Sequence, residues 1–112
     1  MHPGKNKILI TGGTGFLGIE LSHYLSKKFE VTTTSKKKKK NYLLLDYPRK
    51  KLSNKDLKGI NTIIHLASLD RDEANKNFKK AKKINFDLTK ELIEFSINNK
   101  VKNFIYISSI SV

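Results

Sequence analysis

Residues 8–18, Ile8-Leu9-Ile10-Thr11-Gly12-Gly13-Thr14-Gly15-Phe16-Leu17-Gly18, decide how this chain folds. Ile8, Leu9 and Ile10 form a short apolar run of the kind a strand buried on both faces requires. Glycines follow at once, at Gly12, Gly13, Gly15 and Gly18, and a helical pattern then opens with Phe16, Leu17, Leu21 and Leu25. The glycines read as GxxGxxG through positions 12, 15 and 18, and as GxGxxG through 13, 15 and 18. Such spacing also occurs in ordinary turns, but the strand before it and the helix after it give it weight. Strand, glycine turn and helix in this order imply a βαβ unit shaped to receive a diphosphate. The first turn is too tight for a Cβ, the next position lets phosphate approach the backbone, and Gly18 lets the helix pack close to the strand. The helix then offers free N–H groups and the positive end of its dipole.

Working outward, Lys7 to Ile10 reads as the first strand and Phe16 to about Lys27 as the first helix, with Leu17, Leu21 and Leu25 on one face. Phe29 to Thr33 is rich in β-branched residues and reads as the second strand. Tyr42 to Leu45 reads as the third strand, ending at Asp46, and Pro48 breaks the chain. Ser53 is placed to cap a short helix through Lys58, with Gly59 as its stop. Asn61 to Leu66 reads as the fourth strand. Asp70 to Asn99 is a long helical pattern in which Ile84, Leu88, Leu92 and Phe95 recur every three or four residues. Asn103 to Ser108 reads as the fifth strand. Alternation of this kind predicts an α/β fold: a Rossmann-type doubly wound parallel sheet in the order 3-2-1-4-5, as one domain over residues 1–112.

The composition narrows the function. There is no cysteine, so neither a disulfide framework nor a thiolate site is available, which suits a reducing cytoplasm. His2, His23 and His65 are scattered without a ligand pattern, which argues against a metal site. No apolar run approaches the ~20 residues of a membrane span, and the opening residues lack the apolar stretch of a signal peptide. The net charge of +13 invites a nucleic-acid reading. Against it, of the 23 basic side chains only Arg49 and Arg71 are arginines. Base readout and bidentate phosphate contacts favour arginine, whereas lysine fills solvated faces.

The five consecutive lysines Lys36 to Lys40 repel one another and read as a loop. They follow the second strand, where an acidic residue would hold the adenosine ribose hydroxyls of NAD. No acidic residue occurs between Val31 and Leu45, and Ser35 and Lys36 take that place. A cation there suits a 2′-phosphate, so the expected cofactor is NAD(P), with NADP favoured over NAD.

Several segments together resemble the extended short-chain dehydrogenase/reductase family, also called the NAD-dependent epimerase/dehydratase family. Thr11–Gly18 (TGGTGFLG) is similar to its cofactor fingerprint. Asp46 stands where the family holds an acidic residue against adenine. Asp56–Ser68 (DLKGINTIIHLAS) is similar to the segment ending in HLAA. Lys83–Ser96 resembles a helix that carries an Asn, and Asn103–Val112 resembles the strand that carries the catalytic serine. The resemblance implies that Gly12, Gly15 and Gly18 face the pyrophosphate, with Phe16 and Leu17 donating backbone amides and Gly13 and Thr14 in the same cofactor-binding turn. It implies that Asp46 contacts adenine, that Leu66, Ala67 and Ser68 line the path to the nicotinamide ribose, and that Asn85 takes the helix asparagine position. Ser109 would be the catalytic serine. The family has a His at position 65 without catalytic duty, and His65 is read here as a packed strand residue.

One element of the family pattern is missing. A Tyr-x-x-x-Lys follows the serine segment in the family, where the tyrosine moves a proton and the lysine lowers its pKa. Tyr47-Pro-Arg-Lys-Lys51 has that spacing, but it follows the third strand, and Pro48 argues against the helix the motif needs. The expectation is therefore the N-terminal cofactor-binding part of a larger nucleotide-sugar epimerase, dehydratase or reductase. It is expected to be inactive alone, with the substrate held by a region not present. The alternatives are an inactive dinucleotide-binding module and a basic nucleic-acid-binding protein. An apolar fifth strand left at the sheet edge is expected to promote self-association.

Overall fold

The computed structural model describes residues 6–12, 15–68 and 71–109. The elements run β1 (Lys7–Thr11), α1 (Phe16–Leu25), β2 (Glu30–Ser35), β3 (Leu43–Leu44), β4 (Thr62–Ser68), α2 (Arg71–Asn98) and β5 (Asn103–Ser109). Among the described residues these strands form one sheet in the order β3-β2-β1-β4-β5. Every pairing between them is parallel. The α/β architecture and the strand order are those the alternating pattern predicts.

Period-two alternation distributes the strand residues between two cores. Ile8, Ile10 and Ile64 point to the α1 side, where Leu21, Leu25, Phe29, Val31, Leu66 and Ile107 pack on them. Leu9 and Ile63 point the other way and join Leu45, Leu52, Leu57, Ile60 and Leu92, with Leu88, Phe95 and Phe104 at the margin. Leu9, Ile63 and Leu92 are excluded from water almost entirely. Burial of that kind contributes roughly 1.5–3 kcal/mol per side chain.

Some local expectations change. The sheet-facing seam of α1 runs through Gly18, Leu21 and Leu25, while Leu17 is exposed. Gly18 lets the helix lie close, and a helix seated on Gly18 turns its neighbour Leu17 outward by about 100°. Residues 53–58 form no α-helix. The amides of Asp56, Leu57 and Lys58 bond three residues back, to Ser53, Asn54 and Lys55, so these are successive tight turns. The capping chemistry is nonetheless present. The Ser53 amide donates to Asp56 Oδ2 at 2.8 Å, and the Asp56 amide donates to Ser53 Oγ at 3.3 Å. Leu57 and Ile60 are both drawn into the core, and six residues cannot satisfy that and complete a helix. Gly59 ends the turns at φ +80°. The third strand shrinks to two residues because Asp46 and Lys50 exchange backbone bonds across a turn.

Candidate functional site

In a parallel sheet all carboxyl ends lie on one edge, and the chain reverses its winding between β1 and β4. Ligands of doubly wound sheets bind at that switch point. The glycine corner lies there, and its glycines have different reasons to be glycine. Gly12 turns the chain off β1 at φ +76°, and its amide donates to Thr34 Oγ1 at 3.1 Å. A Cβ at position 12 would lie 2.7 Å from the Leu66 carbonyl oxygen of β4. The fold itself therefore requires this glycine.

Gly15 differs. Its backbone is extended, φ −78° and ψ 171°, a conformation open to any residue. Among the described residues nothing lies within 4 Å of the place its Cβ would take. The packing of the described residues gives no reason for a glycine there, whereas clearance for a ligand does. Gly15 is also the N-cap of α1, and its carbonyl accepts the first helical bond, from Ile19 at 3.0 Å. The amides of Phe16, Leu17 and Gly18 precede that bond and have no acceptor within the helix. No acidic residue occupies the first turn, so no carboxylate of the helix's own first turn offsets the positive end of its dipole. Phe16 is exposed and Gly18 is buried. Backbone donors, a positive dipole and open space fit an anionic diphosphate.

The other predicted residues are distributed along the same edge. Ser35, at the end of β2, is buried. Its hydroxyl accepts the Lys37 amide at 3.2 Å, which anchors the start of the lysine run. Lys36 is exposed. Asp46 is half-buried and its carboxylate pairs with Arg49 Nε at 3.2 Å. Leu66 is half-buried, with its carbonyl against Gly12. Backbone register sets Ser68 beside Ser109 and Ala67 beside Ser108, at the carboxyl ends of β4 and β5. Asn85 lies on α2, half-buried, with its carbonyl accepting the Thr89 hydroxyl at 2.8 Å. Gly13 and Thr14 lie outside the described residues, as do the side chains of Ala67, Ser68 and Ser109.

A residue read from the sequence only as packed lies beneath the corner. His65 is 2% exposed. Its Nδ1 is hydrogen-bonded to Thr11 Oγ1 and its Nε2 to Thr89 Oγ1, the latter at 2.9 Å. Burial pushes its pKa down to about 4, so the ring is neutral near pH 7. Phe104 and Tyr106 tilt against it. The packed role expected of His65 holds; its threonine partners are unannounced in sequence because 54 and 24 residues separate them from it.

Tyr47 and Lys51 match the Tyr-x-x-x-Lys spacing, but they sit in and just after the turn that closes β3. The Lys51 ammonium lies 5.4 Å from the Tyr47 ring centroid and pairs with Glu91 at 3.6 Å. Burial and the Glu91 carboxylate push the Tyr47 phenol up. A proton-transfer phenol needs its pKa brought down, so the local chemistry runs the wrong way. Among the described residues no group of His, Cys, Asp or Glu could hold a metal ion, and no helix is long and apolar enough to cross a membrane.

A parallel sheet in this order, with a glycine turn and a helix amino terminus at its switch point, defines the dinucleotide-binding Rossmann class. Within it, a sequence profile of the NAD dependent epimerase/dehydratase family matches residues 8–112, and the chain belongs to that family. It is 35% identical to a dTDP-D-glucose 4,6-dehydratase from Dictyostelium discoideum, over 92% of this chain and 29% of that protein. Among solved structures it is similar to MoeE5 in complex with UDP-glucose and NAD, with TM-score 0.74 and 25% identity, over 93% of this chain and 36% of that one. It is also similar to TunA, an NAD dependent NDP-hexosamine 5,6-dehydratase of tunicamycin biosynthesis, with TM-score 0.70 and 27% identity, over 91% and 36% of the two chains. The chain thus spans about a third of the length of these relatives.

Proposed function

We propose that the chain is the dinucleotide-binding portion of an NAD(P)-dependent enzyme acting on a nucleotide-activated sugar, as an epimerase, dehydratase or reductase. The observation that carries this is Gly15, a glycine whose Cβ position is clear of every described residue and which stands beside the α1 amides that have no acceptor within the helix. Gly12, Gly13, Thr14, Gly15 and Gly18 would enclose the diphosphate, with the Phe16 and Leu17 amides donating to it. Ser35 and Lys36 would face the adenosine ribose, and Asp46 the adenine. Leu66, Ala67 and Ser68 would border the nicotinamide ribose, with Asn85 behind them on α2. Ser109, beside Ser68 in the register, would hydrogen-bond the substrate's carbonyl or hydroxyl. When bound, the nicotinamide would supply hydride acceptance or donation at a sugar carbon.

The lysines after β2 favour NADP. A 2′-phosphate adds charge at the place where the run begins, and no acidic residue occurs in the sequence between Val31 and Leu45. Isothermal titration with NAD and NADP tests both parts. Binding of either supports the cradle, and its absence in a folded sample removes the reading. Tighter binding of NADP, with Lys36→Ala reducing that advantage and leaving NAD affinity unchanged, supports the 2′-phosphate assignment. Equal affinities overturn it. The nucleotide-sugar class is supported by the 35% identity to a sugar-nucleotide dehydratase, and turnover in an assembly containing this chain would test it.

A further inference from the structure

We propose that His65 is a positioning residue for the dinucleotide corner, at the centre of a directed hydrogen-bond chain from Thr11 through Thr89 to the Asn85 carbonyl. The proposal deepens the cradle reading and rests on it for its binding consequence. The direction follows from counting protons. A carbonyl oxygen only accepts, so the Thr89 hydroxyl gives its one proton to Asn85 O at 2.8 Å. Thr89 Oγ1 must then accept from His65 Nε2 at 2.9 Å, which places the ring proton on Nε2. Nδ1 is left as an acceptor, and the Thr11 hydroxyl donates to it. Among the described residues no buried side-chain polar atom lacks a partner.

The chain joins two parts of the site that are far apart in sequence. Thr11 immediately precedes Gly12, whose φ of +76° and contact with Leu66 tolerate little displacement. Asn85 is one helical turn before Thr89. Among the described residues α2 packs on the core around Leu9 and Ile63 through Leu88, Leu92 and Phe95, and its buried Ser96 bonds back to the Leu92 carbonyl of the same helix. Apolar contacts turn the apolar stripe of a helix to the core but are themselves non-directional, whereas a hydrogen bond has a narrow range of distance and angle. The Thr89–His65 bond therefore sets the register of α2 on the sheet. In doing so it fixes where Asn85 stands relative to the glycine turn.

Two measurements test this on the labelled chain. Long-range ¹H–¹⁵N correlation of the histidine ring should show the neutral Nε2–H form at pH 7; the Nδ1–H form would overturn the proposal. Thr89→Val keeps the side-chain shape but leaves the Nε2–H without an acceptor. It should shift the backbone amide resonances of Thr11 and Gly12 and weaken NAD binding by roughly threefold to tenfold, the scale of one net hydrogen bond. Thr89→Ser should restore both. Unmoved Thr11 and Gly12 amides in folded Thr89→Val would refute the chain. Should that variant fail to fold, Thr11→Val tests from the opposite end, where the Asn85 and Thr89 amides must move. If the parent chain binds no NAD, the cradle reading fails, while the tautomer and the amide shifts still decide the hydrogen-bond chain.

Discussion

Alanine at position 12 and alanine at position 15 should fail in opposite ways. In Gly12→Ala the new Cβ is forced into a left-handed backbone, which costs about 1–2 kcal/mol. It also arrives 2.7 Å from the Leu66 carbonyl oxygen, an overpacking contact worth roughly 1–3 kcal/mol before relaxation. A total loss of about 2–5 kcal/mol should lower the melting temperature by roughly 10–25 °C in a domain of this size. In Gly15→Ala the backbone at φ −78° needs no adjustment, and the methyl enters open space. Alanine is a poorer N-cap than glycine, by a few tenths of a kcal/mol or more, but it restricts the unfolded chain by a similar amount, roughly 0.4–1 kcal/mol. The net effect on stability should lie within about 0.5 kcal/mol. The same methyl occupies the approach to the α1 amides, so NAD affinity should fall at least tenfold, about 1.4 kcal/mol. Urea unfolding and isothermal titration on both variants provide the assay. A Gly15→Ala chain that binds NAD like the parent would refute the assignment of that space to a ligand. A Gly12→Ala chain that melts with the parent would refute the fold requirement at Gly12.

Further outcomes follow from the same structure. Leu92→Ala removes a side chain 1% exposed in the α2-side core and should cost about 2–5 kcal/mol in urea unfolding; a loss below 1 kcal/mol would mean the site collapses freely. His65 titrates near 4 in the fold against an ordinary 6.5, so the unfolded chain binds the extra proton first. Stability should fall as pH drops from about 6.5 to 4, by at most ~1.4 kcal/mol per unit; unfolding free energies unchanged between pH 7 and 5 would contradict this, and His65→Gln should flatten the window. Ser53→Ala removes the hydroxyl that accepts the Asp56 amide and donates to Asp56 Oδ2, leaves the Ser53 amide bond to that carboxylate in place, and should cost about 0.5–2 kcal/mol in chemical denaturation; no loss would show that the turns hold without the hydroxyl. Ile105 and Tyr106 on the edge strand β5 are 46% and 47% exposed, so the isolated chain should self-associate in sedimentation, and Ile105→Lys should reduce this. A parent chain that stays monomeric at high concentration would remove that expectation.

The order of elements was legible because it depends on patterns that repeat. Strand residues alternate between the two cores, and Leu88, Leu92 and Phe95 recur at helical spacing, so β1, β4, β5 and α2 announce themselves. What was illegible lacks a period. Leu17 looks equivalent to Leu21 and Leu25 on a helical wheel. The seam instead runs through Gly18, which contributes no hydrophobic signal and matters only because the sheet lies beneath it. Ser53 reads correctly as a capping residue, yet the demands of burying Leu57 and Ile60 override the helix it would start, and its partner Asp56 shows only in the structure. His65, Thr11, Thr34 and Thr89 are polar side chains at inward positions. Their partners come from separate elements, so only the assembled sheet shows that each is satisfied.

The glycines carry the sharpest lesson. In sequence Gly12 and Gly15 are interchangeable members of one motif. In three dimensions Gly12 is explained by a positive φ and by the Leu66 carbonyl, so its presence says nothing about a ligand. Gly15 has an ordinary backbone, and no described residue crowds its Cβ position. A residue type that costs conformational entropy on folding and is not crowded by any described residue is explained by its N-cap position, where glycine is preferred to alanine, together with clearance for a ligand. Three helical amides without intrahelical acceptors open beside it. The functional reading therefore rests on the glycine that the fold could do without.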